Sequence, residues 1–82
     1  MYFTYILRCA DGTYYVGSTN DLDRRVYQHN HAKSGAHYTK IRRPVVLKYC
    51  EDFATMSEAR KREYALKQLT RKEKEELVTR IK

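Results

Sequence analysis

No apolar run in this 82-residue chain exceeds four residues, far short of the ~18 that would span a bilayer. There is no Pro/Gly/Ser-rich linker, repeat or low-complexity tract, so the whole chain is expected to form one domain, residues 1–82. Its two cysteines, Cys9 and Cys50, are too few for a disulfide scaffold and read as buried small hydrophobes in strand-like runs. They do not form the paired CxxC arrangement of a structural zinc site, and His29 and His31 stand only two residues apart. Strand-like residues begin at Tyr2, so nothing at the N-terminus resembles a signal peptide. A cytoplasmic domain with no membrane partner is expected.

The most informative deficit is of negative charge. No Asp or Glu occurs between Arg24 and Cys50, where Arg24, Arg25, Lys33, Lys40, Arg42, Arg43 and Lys48 accumulate together with His29, His31 and His37. Charge of one sign at this density, within a net +7, attracts polyanions. The C-terminal segment is basic too, but its Lys and Arg alternate with Glu as on an exposed helix, which is less diagnostic.

Tyr2 to Cys9 reads as a strand, with Phe3, Tyr5, Leu7 and Cys9 on one face. Ala10-Asp11-Gly12 fits a three-residue hairpin loop closed by a left-handed glycine. The return strand, Thr13 to Ser18, then sets Leu7 opposite Tyr15 and Tyr5 opposite Gly17. In this register the two tyrosines share a face, roughly 7 Å apart, and Gly17 leaves a notch. Asn20 is the expected N-cap of a helix on which Leu22, Arg25, Val26 and His29 share one stripe. Lys33 to Arg43, with a turn at Ser34-Gly35, reads as a long basic loop. A strand from Pro44 to Phe53 suits the centre of a small sheet. Thr55-Met56-Ser57-Glu58 and Thr70-Arg71-Lys72-Glu73 are capping boxes opening two further helices. The first has Met56, Ala59 and Leu66 as its buried stripe, the second Leu77, Val78 and Ile81. The expected fold is α+β, ββαβαα: a three-stranded, mostly antiparallel sheet with three helices.

Glu63 lies in the middle of an otherwise apolar helix stripe. A carboxylate there must meet a cation, a donor or water, so it pairs with Arg25, stands at a solvent edge, or faces a shared cleft. Arg25, His29, Tyr5 and Tyr15 pose the same question on their own elements. Five polar groups, each on an inward face, point toward convergence in one cleft.

These positions resemble the GIY-YIG nuclease superfamily, which includes the nuclease domain of the excision-repair protein UvrC and phage homing endonucleases. The likeness is strongest to its small stand-alone bacterial members. Tyr5 of Phe3-Thr4-Tyr5 precedes Tyr15 of Tyr15-Val16-Gly17 by ten residues, Arg25 and His29 follow Tyr15 by ten and fourteen, and Glu63 stands within Lys61-Arg62-Glu63-Tyr64. Phe3 and Thr4 replace the first tripeptide's glycine and isoleucine. The resemblance implies phosphodiester hydrolysis with one divalent ion, Mg²⁺ or Mn²⁺, held by Glu63 with several waters retained. It further implies that Arg25 stabilises phosphoryl charge, that Tyr5 activates water with His29 as its proton acceptor or hydrogen-bond partner, and that Tyr15 orients water or phosphate. The implied substrate is DNA more than RNA, in repair or processing, acted on by a monomer with a protein partner as a source of specificity. Nucleic-acid contacts are expected from Arg24, His37, Tyr38, Lys40, Arg42, Arg43 and Lys67, with Tyr38 available to stack on a base. The alternatives are a non-catalytic nucleic-acid-binding module of the same fold, and an assembly protein whose basic surface meets an acidic partner.

Overall fold

The computed structural model describes residues 1–32 and 36–80. The order of elements is β1 (Tyr2–Arg8), β2 (Tyr14–Thr19), α1 (Leu22–His31), α2 (His37–Lys40), β3 (Val46–Phe53), α3 (Met56–Lys67) and α4 (Arg71–Arg80). An antiparallel sheet of order β2-β1-β3 divides two helical layers.

The hairpin forms in the expected register, Leu7 opposite Tyr15 and Tyr5 opposite Gly17. Its turn closes through a Cys9 N–H to Thr13 carbonyl bond of 2.8 Å, with Gly12 at φ +85°. A side chain there would be strained, which is why glycine ends this loop.

The strand after Pro44 differs from expectation. It begins at Val46 and lies on the sheet edge, while β1 is central. Exposed and half-buried residues alternate along it and none is fully buried, as suits an edge strand. Cys50 is exposed on this edge strand, contrary to the buried role expected of it, whereas Cys9 is buried. Ile6 pairs with Tyr49 but Leu7 with Leu47, which makes Lys48 the additional residue of a bulge.

Side-chain alternation along the strands splits the core in two. Tyr5, Leu7, Cys9 and Val45 pack with Tyr15, Leu22, Val26 and Leu47 beneath α1. Ile6, Val16, Leu66 and Leu77 pack with Tyr14, Tyr49, Leu69 and Val78 beneath α3 and α4. Ile81, expected on the same face of the last helix, lies outside the described residues, as do Lys33, Ser34 and Gly35. Each fully buried aliphatic side chain stabilises by about 1.5–3 kcal/mol.

Helix boundaries follow local chemistry. Asp21, not Asn20, caps α1, its carboxylate accepting from the Arg24 N–H at 3.2 Å. Asn20 lacks that role because the Thr19 hydroxyl instead receives the Asp21 N–H, at 3.1 Å, and turns the chain one residue later. Both capping boxes form as read, Thr55 with Glu58 and Thr70 with Glu73. The expected long loop contains a fourth helix, the single turn α2. Four residues are too short for an apolar period to register in sequence. Thr39, at the one buried position of α2, ties it down.

Two contacts place the functional elements. The Thr4 hydroxyl donates to the Ala59 carbonyl at 2.6 Å, both residues fully buried, and so docks α3 onto the sheet one turn before Glu63. On the opposite layer, the Asn30 side chain donates to the Val45 carbonyl at 3.0 Å and accepts its N–H at 2.7 Å, splicing α1 to the start of β3.

Candidate active site

Tyr5 stands on the central strand beneath α1, and His29 on α1 points down at it. The Tyr5 hydroxyl lies 2.9 Å from His29 Nε2, and His29 Nδ1 lies 2.8 Å from the Thr39 hydroxyl. Thr39 gives its own proton to the Ala36 carbonyl at 2.9 Å. It can therefore only accept from the imidazole, which puts the ring proton on Nδ1 and leaves Nε2 to accept from Tyr5. A directed chain results, from Tyr5 through His29 and Thr39 to the backbone. Thr39 carried no signal in the sequence, since a threonine in a polar stretch marks nothing by itself.

Burial sets the protonation of this pair. It pushes the Tyr5 phenol up to about 12, against a lowering contact from Arg25, with the Tyr15 and Glu63 charges adding to the rise. Burial and the positive charges of Arg25 and Arg43 hold His29 down at about 4, a neutral imidazole near pH 7. Tyr15 packs edge-on against His29, ring centroids 5.0 Å apart, and Tyr38 lies 5.9 Å beyond Tyr15.

The notch expected at Gly17 is filled by Tyr5 itself. A Cβ at Gly17 would stand 2.5 Å from the phenol oxygen, 2.7 Å from Cζ and 3.2 Å from the Tyr15 ring. Glycine is thus the residue that lets the phenol reach across the neighbouring strand.

Glu63 approaches from the other layer. Ser18, next to Gly17 and alternating to the opposite face, donates to Glu63 Oε1 at 2.6 Å; Lys67 pairs with Oε2 at 2.8 Å. Burial raises the Glu63 carboxyl, but the bonds from Lys67 and Ser18 and the charges of Lys67 and Arg60 outweigh it, so it stays ionised below the usual carboxylate range. The carboxylate pairs with Lys67 in place of the Arg25 considered from sequence. The two halves meet at consecutive residues of β2, with Gly17 against the Tyr5 phenol and Ser18 on Glu63. Arg25 hydrogen-bonds Gln28 at 3.1 Å and lines a cleft of about 370 Å³ with Arg24, Thr19, Asn20 and Asp21.

Not every cation expected on nucleic acid is directed outward. Arg43 donates to the carbonyls of His29 (2.6 Å), Gln28 (3.1 Å) and Ala32 (2.6 Å), capping the end of α1. Arg42 pairs with Asp11 at 3.0 Å, donates to the Tyr38 carbonyl and lies 3.9 Å over the Tyr38 ring. Tyr38 is engaged by Arg42 and Tyr15 and keeps part of its ring exposed. His37, Lys40 and Arg24 are exposed, as is Lys67.

Among the described residues no three His, Cys, Asp or Glu side chains gather as a metal cage. One ionised carboxylate beside a hydroxyl nevertheless fits a hard, water-rich ion such as Mg²⁺ or Mn²⁺, which takes one or two carboxylates and completes its shell with water and substrate phosphate. Glu63 is the residue that would hold it.

The chain is 52% identical over 77 residues to a UPF0213 protein of Halobacterium salinarum, covering 94% of this chain and 99% of that one. To the UPF0213 protein YazA of Bacillus subtilis it is 53% identical, covering 90% and 74%. The solution NMR structure of a UPF0213 protein from Bacillus halodurans matches with a TM-score of 0.62 at 41% identity, over 99% of this chain and 86% of that one. These names specify no activity. Residues 1–76 match the family described as the GIY-YIG catalytic domain, so the chain belongs to that family of nuclease type.

Proposed function

We propose that this protein hydrolyses phosphodiester bonds of DNA with one Mg²⁺ or Mn²⁺ ion, Glu63 holding the ion and Tyr5, Tyr15, Arg25 and His29 performing the remaining chemistry. The observation that carries this reading is the Tyr5–His29–Thr39 chain beside an ionised Glu63. A phenol pushed up to about 12 is a poor base if it must first ionise. Here it need not. As water attacks, Tyr5 Oη takes the water proton while passing its own to His29 Nε2, whose lone pair is already aimed at it. The new oxygen–phosphorus bond forms, the bond to the 3′ oxygen breaks, and that oxygen leaves with a solvent proton. His29 is held low partly by Arg25; a phosphate anion against Arg25 offsets that field and strengthens His29 as the acceptor. Arg25 stabilises the extra negative charge on the phosphoryl oxygens, and Tyr15 orients water or phosphate. A bound divalent ion adds Lewis acidity at the phosphate and leaving oxygen.

The chain offers little area for base readout, so nucleic-acid shape or a protein partner selects the substrate in cytoplasmic DNA repair or processing. Purified protein with Mg²⁺ or Mn²⁺ should cleave branched, nicked or single-stranded DNA in preference to matched RNA, and Glu63→Gln or Arg25→Ala should each cost ~100-fold or more. Cleavage untouched by both substitutions refutes the mechanism. One observation favours a second reading, a binding module without turnover: both Glu63 oxygens already have partners in Ser18 and Lys67. Binding that needs no metal, with no product at any metal concentration, would establish it.

A further inference from the structure

β2 has no strand on its outer side. At the site end of this edge stand Gly17 and Ser18, with Ser18 bonded to Glu63 and Glu63 to Lys67. At the hairpin end, a pocket of about 210 Å³ is lined by Thr13 and Tyr14 of the hairpin, by Tyr38 from one layer and by Arg71 and Lys74 from the other. This pocket wraps round the sheet edge.

The charge on α4 is sorted to suit it. Arg71 and Lys74, one turn apart, face the pocket, with the Arg71 guanidinium resting against the Gly12 turn. Glu73 and Glu76 line a separate hollow on another side of α4 with Arg62 and Arg80. Among the described residues no carboxylate lies within ion-pair distance of Arg71 or Lys74. Arg71 and Lys74 are thus the charged residues of α4 that line the pocket at the hairpin. Thr13 and Gly17 are four residues apart, about 13 Å at ~3.3 Å per residue, the length of a short stretch of nucleic-acid strand.

We infer that a nucleic-acid strand runs along the open edge of β2 from the Glu63 site to the hairpin, where Arg71 and Lys74 bind the phosphates a few nucleotides from the reacting one. This rests on nucleic acid being the ligand of the site, as proposed above, and adds its path and its distal clamp. The outward main-chain N–H groups of alternate β2 residues offer further donors along the way.

The test is equilibrium binding of a fluorescent 12-nucleotide single strand to the full chain across a salt series, without metal so that no cleavage intervenes. R71Q/K74Q should bind ~10-fold more weakly at low salt, and the slope of log affinity against log salt should fall by about 1.4, two contacts at ~0.7 each. K48Q/K61Q removes the same charge away from this path and should change affinity less than ~2-fold. Equal losses in both pairs, or none in R71Q/K74Q, overturns the path. If melting curves show R71Q/K74Q unfolded, K74Q alone decides, with an expected slope change of about 0.7. A wild type that cleaves nothing while R71Q/K74Q still loses affinity would remove the hydrolytic reading and leave the path standing.

Discussion

Gly17 is where one atom decides the most. Its hydrogen leaves the space that the Tyr5 phenol occupies, and a methyl 2.5 Å from that oxygen cannot coexist with the His29 bond. Gly17→Ala should cost about 1–3 kcal/mol through overpacking and displace Tyr5, with cleavage falling ~100-fold while DNA affinity holds. A crystal structure with Tyr5 unmoved would contradict this. His29 makes a different prediction, about pH. Its folded value of about 4 lies below the unfolded ~6.5, so unfolding takes up a proton between those limits. Its neutral state thus contributes stability in full above pH ~6.5, and that contribution is lost as pH falls toward 4, by about 2–3 kcal/mol in all. Thermal melts from pH 7 to pH 4 should show that loss in the wild type and much less of it in His29→Gln.

At the scale of elements, what could be read from sequence was whatever rests on spacing or local chemistry. The hairpin register followed from a three-residue loop ending in Gly12, and both capping boxes from Thr and Glu three apart. Tyr5 with Tyr15, and Arg25 with His29, fell on inward faces for the same reason. What escaped depended on partners distant in the chain. Cys50 lies in a run dense enough for a central strand, and only the sheet order exposes it. Arg43 looks like any loop cation until the end of α1 is seen to need it. Thr39 matters through a histidine ten residues away. On α3, the Lys67–Glu63 pair spans one turn, with Lys67 half exposed. Such a pair adds little to stability, within ~0.5 kcal/mol, yet its ammonium competes directly for the oxygen a divalent ion would use. Lys67→Met should leave the melting temperature nearly unchanged and tighten Mn²⁺ binding several-fold by titration calorimetry or paramagnetic resonance. Unchanged Mn²⁺ affinity would show that the ammonium is no competitor.

For the molecule as a whole, the division of labour follows the sheet. The Tyr5–His29–Thr39 chain faces the layer of α1 and α2, Glu63 belongs to that of α3, and consecutive residues of β2, Gly17 and Ser18, join them. Each layer has its own small core, so damage to one should reach the other only through the sheet. Leu66, fully buried beneath α3, tests this. Leu66→Ala should cost about 2–5 kcal/mol, lowering the melting temperature by roughly 10 °C or more in a chain this short. Divalent-ion affinity should weaken as α3 loosens, while the nuclear magnetic resonance signals of His29 keep their native positions below the melt. The uncovered strand has one more outcome. Unpaired edges invite strand addition by another molecule, the first step toward aggregates, but here Lys67, Arg71 and Lys74 hold like charges beside it. The groups that would grip a polyanion also repel a second copy, so mutating those cations to alter any hold on nucleic acid would also invite self-association.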